Sequence, residues 1–173
     1  MKFNPQINKR KSIRLKEYDY SFPGWYYITI CTKNFVSWFG EVTNSEMVHN
    51  ELGKIAVKNF EDIPKHFNQV ELDEFIIMPN HAHGIIIIND VAGTRNRVSL
   101  RRFGRIEKKS LSIIINQYKG SVTRFAHKIG YDEFSWQSRF YEHIIRNDND
   151  LHRIRKYIKN NPLKWELDEY YRK

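Results

Sequence analysis

The sequence predicts an α+β fold. The plan is ferredoxin-like, a split β-α-β arrangement with an antiparallel sheet, helices on one face and one further helix at the carboxyl end. Two observations lead there. Four short runs rich in β-branched and aromatic residues punctuate the chain. Two longer stripes of 3.6-residue period separate the first run from the second and the third from the fourth, giving the order β-α-β-β-α-β.

Each element has its own signal. Residues 25–33, Trp-Tyr-Tyr-Ile-Thr-Ile-Cys-Thr-Lys, are entered through Pro23-Gly24 and read as the first strand. Residues 46–63 place Val48, Leu52, Ile55, Ala56, Phe60 and Ile63 on one helical stripe, with Ser45 positioned to cap it. Residues 70–78 and 81–89 are strand-like runs separated by Pro79-Asn80, which reads as a tight hairpin. The basic stretch 90–109, with Gly93 and Gly104, is a loop. Ser110 opens a helix carrying Leu111, Ile114, Ile115, Tyr118, Val122, Phe125 and Ile129, the strongest periodic signal in the chain. Residues 140–146 form the fourth strand, and Asn147-Asp148 starts a final helix that Pro162 stops.

Length and composition bound the function. The 173 residues fit a single domain, 1–173, comprising a basic arm over 1–24, the basic loop over 90–109 and the last helix over 147–162. With 40% hydrophobic and 14% aromatic residues, the chain is not a disordered one. Its longest apolar runs, Phe75 to Met78 and Ile85 to Ile88, are too short to span a bilayer, and Met1-Lys2-Phe3-Asn4-Pro5-Gln6 has no secretory character. The single cysteine, Cys31, excludes an intramolecular disulfide and a cysteine-based zinc cluster. These features predict a soluble cytoplasmic protein with no membrane partner.

Charge points to a polyanion. Lys and Arg number 29 against 20 Asp and Glu, a net charge of +9. The excess is clustered: residues 95–109 hold Arg95, Arg97, Arg101, Arg102, Arg105, Lys108 and Lys109 against Glu107 alone, and the arm adds Lys9, Arg10, Lys11, Arg14 and Lys16. Nucleic acid is the partner such clusters suit. Tyr18, Tyr20, Trp25, Tyr26 and Tyr27 follow the arm as single-strand stacking platforms would, or as ordinary strand residues.

His81-Ala82-His83 is the sharpest feature. On a strand, side chains at i and i+2 share a face about 7 Å apart, so two imidazoles with Ala82 turned away can reach one metal ion. Neutral imidazole is a common ligand for divalent cations, although paired histidines also arise on exposed strands by chance. Here the pair sits between a hairpin turn and four isoleucines, at the mouth of a buried strand. A two-histidine site leaves open positions, as a Lewis acid acting on a phosphoryl oxygen requires.

The last helix offers a nucleophile. Leu151, Ile154 and Ile158 make its apolar stripe, and Tyr157 and Asn161 lie on one flank of it, about 40° apart and about 6 Å along the axis. The same spacing also fits a core-edge tyrosine and a helix C-cap. Tyr118 is a rival tyrosine, but it stands centrally in an apolar stripe. Lys119, Arg124, Arg146 and Arg153 are candidate phosphate contacts, with a solvated helix or strand surface as the other reading of each.

Met78-Pro79-Asn80-His81-Ala82-His83-Gly84 resembles the HUH motif, and Tyr157-Ile158-Lys159-Asn160-Asn161-Pro162 resembles the tyrosine-bearing helix of the same family. The segment from Trp136 to Arg146 is similar to the one preceding that helix, and Arg14 to Tyr20, with Pro23-Gly24, to the entry of its first strand. Over residues 10–165 or so, the chain resembles the single-tyrosine HUH transposases of small insertion sequences (the IS200-like transposases). It resembles most the branch associated with repetitive extragenic palindromes. Ala82 stands where that family often has a bulkier residue. The resemblance implies a homodimer, a bound Mg²⁺ or Mn²⁺, and nicking of single-stranded DNA near a hairpin through a 5′-phosphotyrosine that frees a 3′-hydroxyl. It implies His81 and His83 as metal ligands, Asn161 as the third ligand and Tyr157 as the nucleophile. A domesticated protein that binds DNA hairpins without cutting them is the alternative. A ferredoxin-like RNA-binding module would need ring-stacking motifs on its sheet, and that signature is absent.

Overall fold

The computed structural model describes residues 22–90 and 110–172. The basic arm with Arg14 and the basic loop with Arg101 and Arg102 lie outside the described residues. Strand β1 (Gly24–Cys31) is central in a four-stranded antiparallel sheet with β4 (Val70–Ile77), β5 (His81–Ile88) and β6 (Tyr141–Ile145), in the order β4-β5-β1-β6. Helices α1 (Glu51–Glu61) and α3 (Leu111–Lys128) provide the two predicted connections, and a short helix, α2 (Ile63–His66), follows α1. This is the ferredoxin-like α+β plan.

Residues 46–49 depart from the predicted helix. They form β3 (Glu46–His49), paired with β2 (Gly40–Thr43) in a separate hairpin. Asn44 and Ser45 have φ of 53° and 63°, the left-handed pair that a two-residue hairpin turn demands. Ser45 therefore turns a hairpin instead of capping a helix. The cap is Asn50, whose side-chain oxygen accepts from the Gly53 amide at 2.9 Å.

Alternation along β1 and β5 divides the molecule into layers. Tyr26, Ile28 and Ile30 with Ala82, Ile86 and Ile88 face α1 and α3, where they meet Leu52, Ala56, Phe60, Ile114, Tyr118 and Val122. The opposite alternates, Tyr27, Ile85 and Ile145, meet Ile154 and Ile158 of α4 (Asp148–Lys159). Burying each such isoleucine contributes about 1.5–3 kcal/mol, enough to seat the short α4 on the sheet. His81 and His83 follow the parity of Ile85, so the fold delivers both to the α4 face.

Gly84 completes that strand by closeness and not by backbone freedom. A Cβ there would lie 2.5 Å from Phe60 Cζ and 3.2 Å from Phe75 Cβ, and those two rings stack at 4.7 Å. Gly84→Ala is expected to lower stability by about 1–3 kcal/mol through overpacking. A urea midpoint unchanged by the substitution would contradict this packing.

Candidate metal and tyrosine site

The site is assembled from the turn before β5. Asn80 is fully buried; its Nδ2 donates to the carbonyls of Phe35 (3.0 Å) and Tyr170 (2.8 Å). Two carbonyl acceptors fix which end of the amide is nitrogen, so Asn80 Oδ1, 2.9 Å from His81 Nδ1, is an acceptor. His81 must then carry its proton on Nδ1 and present a bare Nε2. That atom is buried and has no hydrogen-bond partner among the described residues. His83 is likewise fully buried: its Nδ1 lies 2.8 Å from Tyr27 Oη and 2.9 Å from Thr29 Oγ1, and its Nε2 lies 3.3 Å from Tyr157 Oη. The two imidazole centroids are 4.4 Å apart.

The chain after α4 returns to close this group. A 3-10 turn (Pro162–Leu167) brings Asp168 back beside the helix. Asn161, one residue past the C-cap Asn160, donates from Nδ2 to Asp168 Oδ2 at 2.9 Å, and Tyr157 Oη lies 3.4 Å from the same oxygen. Asp168 Oδ1 accepts from the Tyr170 amide at 2.8 Å. Asn161 Oδ1 is left buried and unpartnered. Ligand atoms of His81, His83 and Asp168 all lie within 4.8 Å of one another. Two imidazoles, one with an orphaned lone pair, and a carboxylate this close together suit a divalent cation, and the unpartnered Asn161 oxygen belongs to the residue that donates to that carboxylate.

Protonation favours the same use. Burial pushes the His81 pKa down to about 4, against the opposing pull of the Asp168 carboxylate and the Asn161 side chain. His83 is held well below the ordinary histidine value by burial and then by His81. Both are therefore neutral near pH 7, the form in which an imidazole can ligate a cation. Tyr157, 41% exposed, has its pKa raised, first by burial and then by the negative charge of Asp168 and Glu169. An added cation would reverse that electrostatic part.

Two ion pairs register α4 across the sheet edge. Arg155 donates to Asp73 from Nε (2.8 Å) and Nη2, and Lys159 Nζ lies 2.8 Å from Glu74. The Arg155 hydrogen bond is the main cause holding the Asp73 pKa below its ordinary 3.8. With the folded pKa the lower, this contribution is present above the unfolded value and is lost as pH falls through the folded one. Asp73→Asn is expected to lower stability at pH 7 and to flatten its decline below about pH 4. An acid limb of equal slope in both proteins would contradict the assignment.

The other candidates fall in different places. Arg153 is exposed, donates to Asp150 at 2.6 Å, and borders two recesses beside Tyr157. Lys119 and Arg124 are on α3, which packs against the other face of the sheet; Lys119 donates to the Gln137 carbonyl at 2.5 Å and Arg124 is exposed. Arg146 is exposed just past β6. Tyr118 is core, its hydroxyl donating to the Ala56 carbonyl at 3.3 Å. Asp168 and Thr29 carry no signal in the sequence, whereas Asn80 stands out there only as a turn residue and Tyr27 only as a stacking or strand residue. Thr29 is opposite His83 in the β1–β5 register, a relation visible only once the strands are paired.

Fold and site together define a ferredoxin-like α+β protein with a buried histidine pair beneath a helix-borne tyrosine. Its fold is shared with a REP-associated tyrosine transposase bound to a REP hairpin, with a TM-score of 0.60 and 18% identity over 92% of this chain and 77% of that one. No family model matches the chain. A Haemophilus influenzae protein, itself uncharacterised, is 43% identical over 175 residues, spanning 98% of this chain and 97% of its own length. The chain belongs to the family of that H. influenzae protein.

Proposed function

We propose that the protein is a metal-dependent single-stranded DNA endonuclease and strand transferase, a transposase that nicks DNA near hairpins. The observation that carries this reading is the placement of the Tyr157 hydroxyl at 3.3 Å from His83 Nε2, on the rim of a group containing the bare Nε2 of His81. A nucleophile, two neutral imidazoles and a carboxylate on one face are the parts of a tyrosine-based phosphoryl transfer. The shared fold with a protein bound to a REP hairpin, together with the net charge of +9, supports a DNA hairpin as partner.

In this reading His81, His83 and Asp168, with Asn161 Oδ1, would hold Mg²⁺ or Mn²⁺. A cation held there would supply positive charge to polarise a phosphoryl oxygen and favour the phenolate. Tyr157 Oη attacks the scissile phosphorus; the Tyr–O–P bond forms, the P–O3′ bond breaks, and the 3′ oxygen leaves and takes a proton from solvent to become a hydroxyl. Asp168 Oδ2, at 3.4 Å, is the carboxylate within reach of the phenol proton. A 5′-phosphotyrosine keeps the bond energy for rejoining. The test is incubation of the protein with end-labelled REP-type hairpin DNA and Mn²⁺. Metal-dependent nicking in the single-stranded flank is the expected result, and intact DNA at all metal and protein concentrations would overturn the reading. No helix among the described residues is long and apolar enough to cross a membrane.

A further inference from the structure

Tyr157 lines two adjoining recesses, one of them with further aromatic rings. One, of about 420 Å³, is bordered by Arg153, Lys156 and Lys164 on its outer side and by the carboxylates of Asp168 and Glu169 toward the histidine pair. The other, of about 620 Å³, is walled by Tyr141 and Tyr157 over Tyr27, with His143 and Arg153 at its lip. The Tyr141 ring is inclined at 68° to Tyr27, with centroids 6.3 Å apart, and the Tyr157 ring at 86° and 6.4 Å. Tyr27 is a buried floor, 9% exposed, whereas Tyr141 and Tyr157 are 46% and 41% exposed. Two tyrosine rings standing this open beside a buried third form a three-sided aromatic box with its mouth at the nucleophile. Tyr27 is itself fixed by its contact with His83, and Tyr141 by its place opposite Thr29 on an edge strand.

From this juxtaposition we infer that the aromatic recess is a base-binding subsite: it receives one unstacked base of the nucleotide adjoining the scissile phosphate, while Lys156 and Lys164 hold the backbone on the other side. The inference rests on the DNA-nicking reading and deepens it. A strand crossing Tyr157 has its phosphate at the hydroxyl, and a neighbouring base has to leave the stack for that phosphate to approach. Aromatic walls accept any base by its π-face, so the subsite fixes position more than sequence. Lys156 and Lys164 supply the complementary charge for the adjoining phosphates. Tyr141 touches the base and not the reacting atoms, and is a positioning residue.

The test uses the full chain and REP-type hairpin oligonucleotides with a single-stranded flank, each probe carrying 2-aminopurine at one flank position. Binding is measured in EDTA, so that nothing is cut, and adduct formation is measured separately with Mn²⁺. One flank position is expected to lose fluorescence on binding. Tyr141→Ala should abolish that quench and weaken affinity for flanked hairpins about tenfold, while Tyr141→Phe restores both. Hairpins without a flank should bind all three proteins equally. Adduct formation with a quench that Tyr141→Ala leaves unchanged would overturn the subsite and leave the nicking reading standing. Neither binding nor adduct from the unaltered protein would overturn the nicking reading and the subsite with it.

Discussion

Replacing either His81 or His83 with Ala is expected to abolish Mn²⁺-dependent nicking and, separately, to abolish the stabilisation that Mn²⁺ confers. At a hundredfold excess of ion over its Kd, binding to the native state alone raises stability by about 2.7 kcal/mol, a readily measured shift in melting temperature. Each imidazole is wholly buried, so no solvent ligand replaces it without a rearrangement. His83→Ala also strips Tyr27 Oη and Thr29 Oγ1 of a partner, a cost of about 1–3 kcal/mol that lowers the metal-free melting point as well. His81→Gln, which keeps a polar side chain of similar reach, separates metal loss from simple cavity formation. A Mn²⁺ shift that survives in the His81→Ala, His83→Ala double variant would mean that the ion binds elsewhere.

Tyr157→Phe is expected to reduce the covalent protein–DNA adduct to background while changing stability by less than about 1 kcal/mol. The substitution removes one oxygen whose contacts with His83 and Asp168, at 3.3 and 3.4 Å, are long, and the ring stays where it packs. Hairpin affinity should persist, since the basic residues and the aromatic walls are untouched. Tyr118→Phe is the matched control. It alters a tyrosine buried on the other side of the sheet and should leave the adduct intact. Retained adduct in Tyr157→Phe would remove the residue from the chemistry.

Much of this architecture is legible from patterning, because the two periods are driven by burial. The stripe from Leu111 to Val122 reads as a helix for the reason it is one: every third or fourth residue meets the sheet. Strand parity also places the histidines, since His81 and His83 share a face with Ile85 and oppose Ala82 and Ile86. What fails is local. Glu46 to His49 fits either period, and the decision lies with Asn44 and Ser45, whose left-handed backbone makes a turn where a cap is predicted. Spacing puts Asn161 and Tyr157 on one flank because they are four residues apart near one helix end, and the resemblance to the tyrosine-bearing helix singles them out. Asp168 is not placed there by spacing, because it reaches them only after Pro162 and a 3-10 turn reverse the chain. Asn80 is hidden for a related reason. It fixes the His81 tautomer only because it is anchored to Phe35 and Tyr170, residues 45 and 90 positions away.

The central claim is that Tyr157 bonds to DNA under the control of the histidine pair. Its most direct test is to react the unaltered protein with labelled single-stranded hairpin DNA and Mn²⁺, digest the SDS-resistant product, and locate the nucleotide-bearing peptide by mass spectrometry. A single modified peptide with the 5′ phosphate on Tyr157 is expected, and none in EDTA. Attachment at Tyr141, Tyr118 or any other residue would contradict it, and binding without an adduct under every metal tried would favour the hairpin-binding alternative.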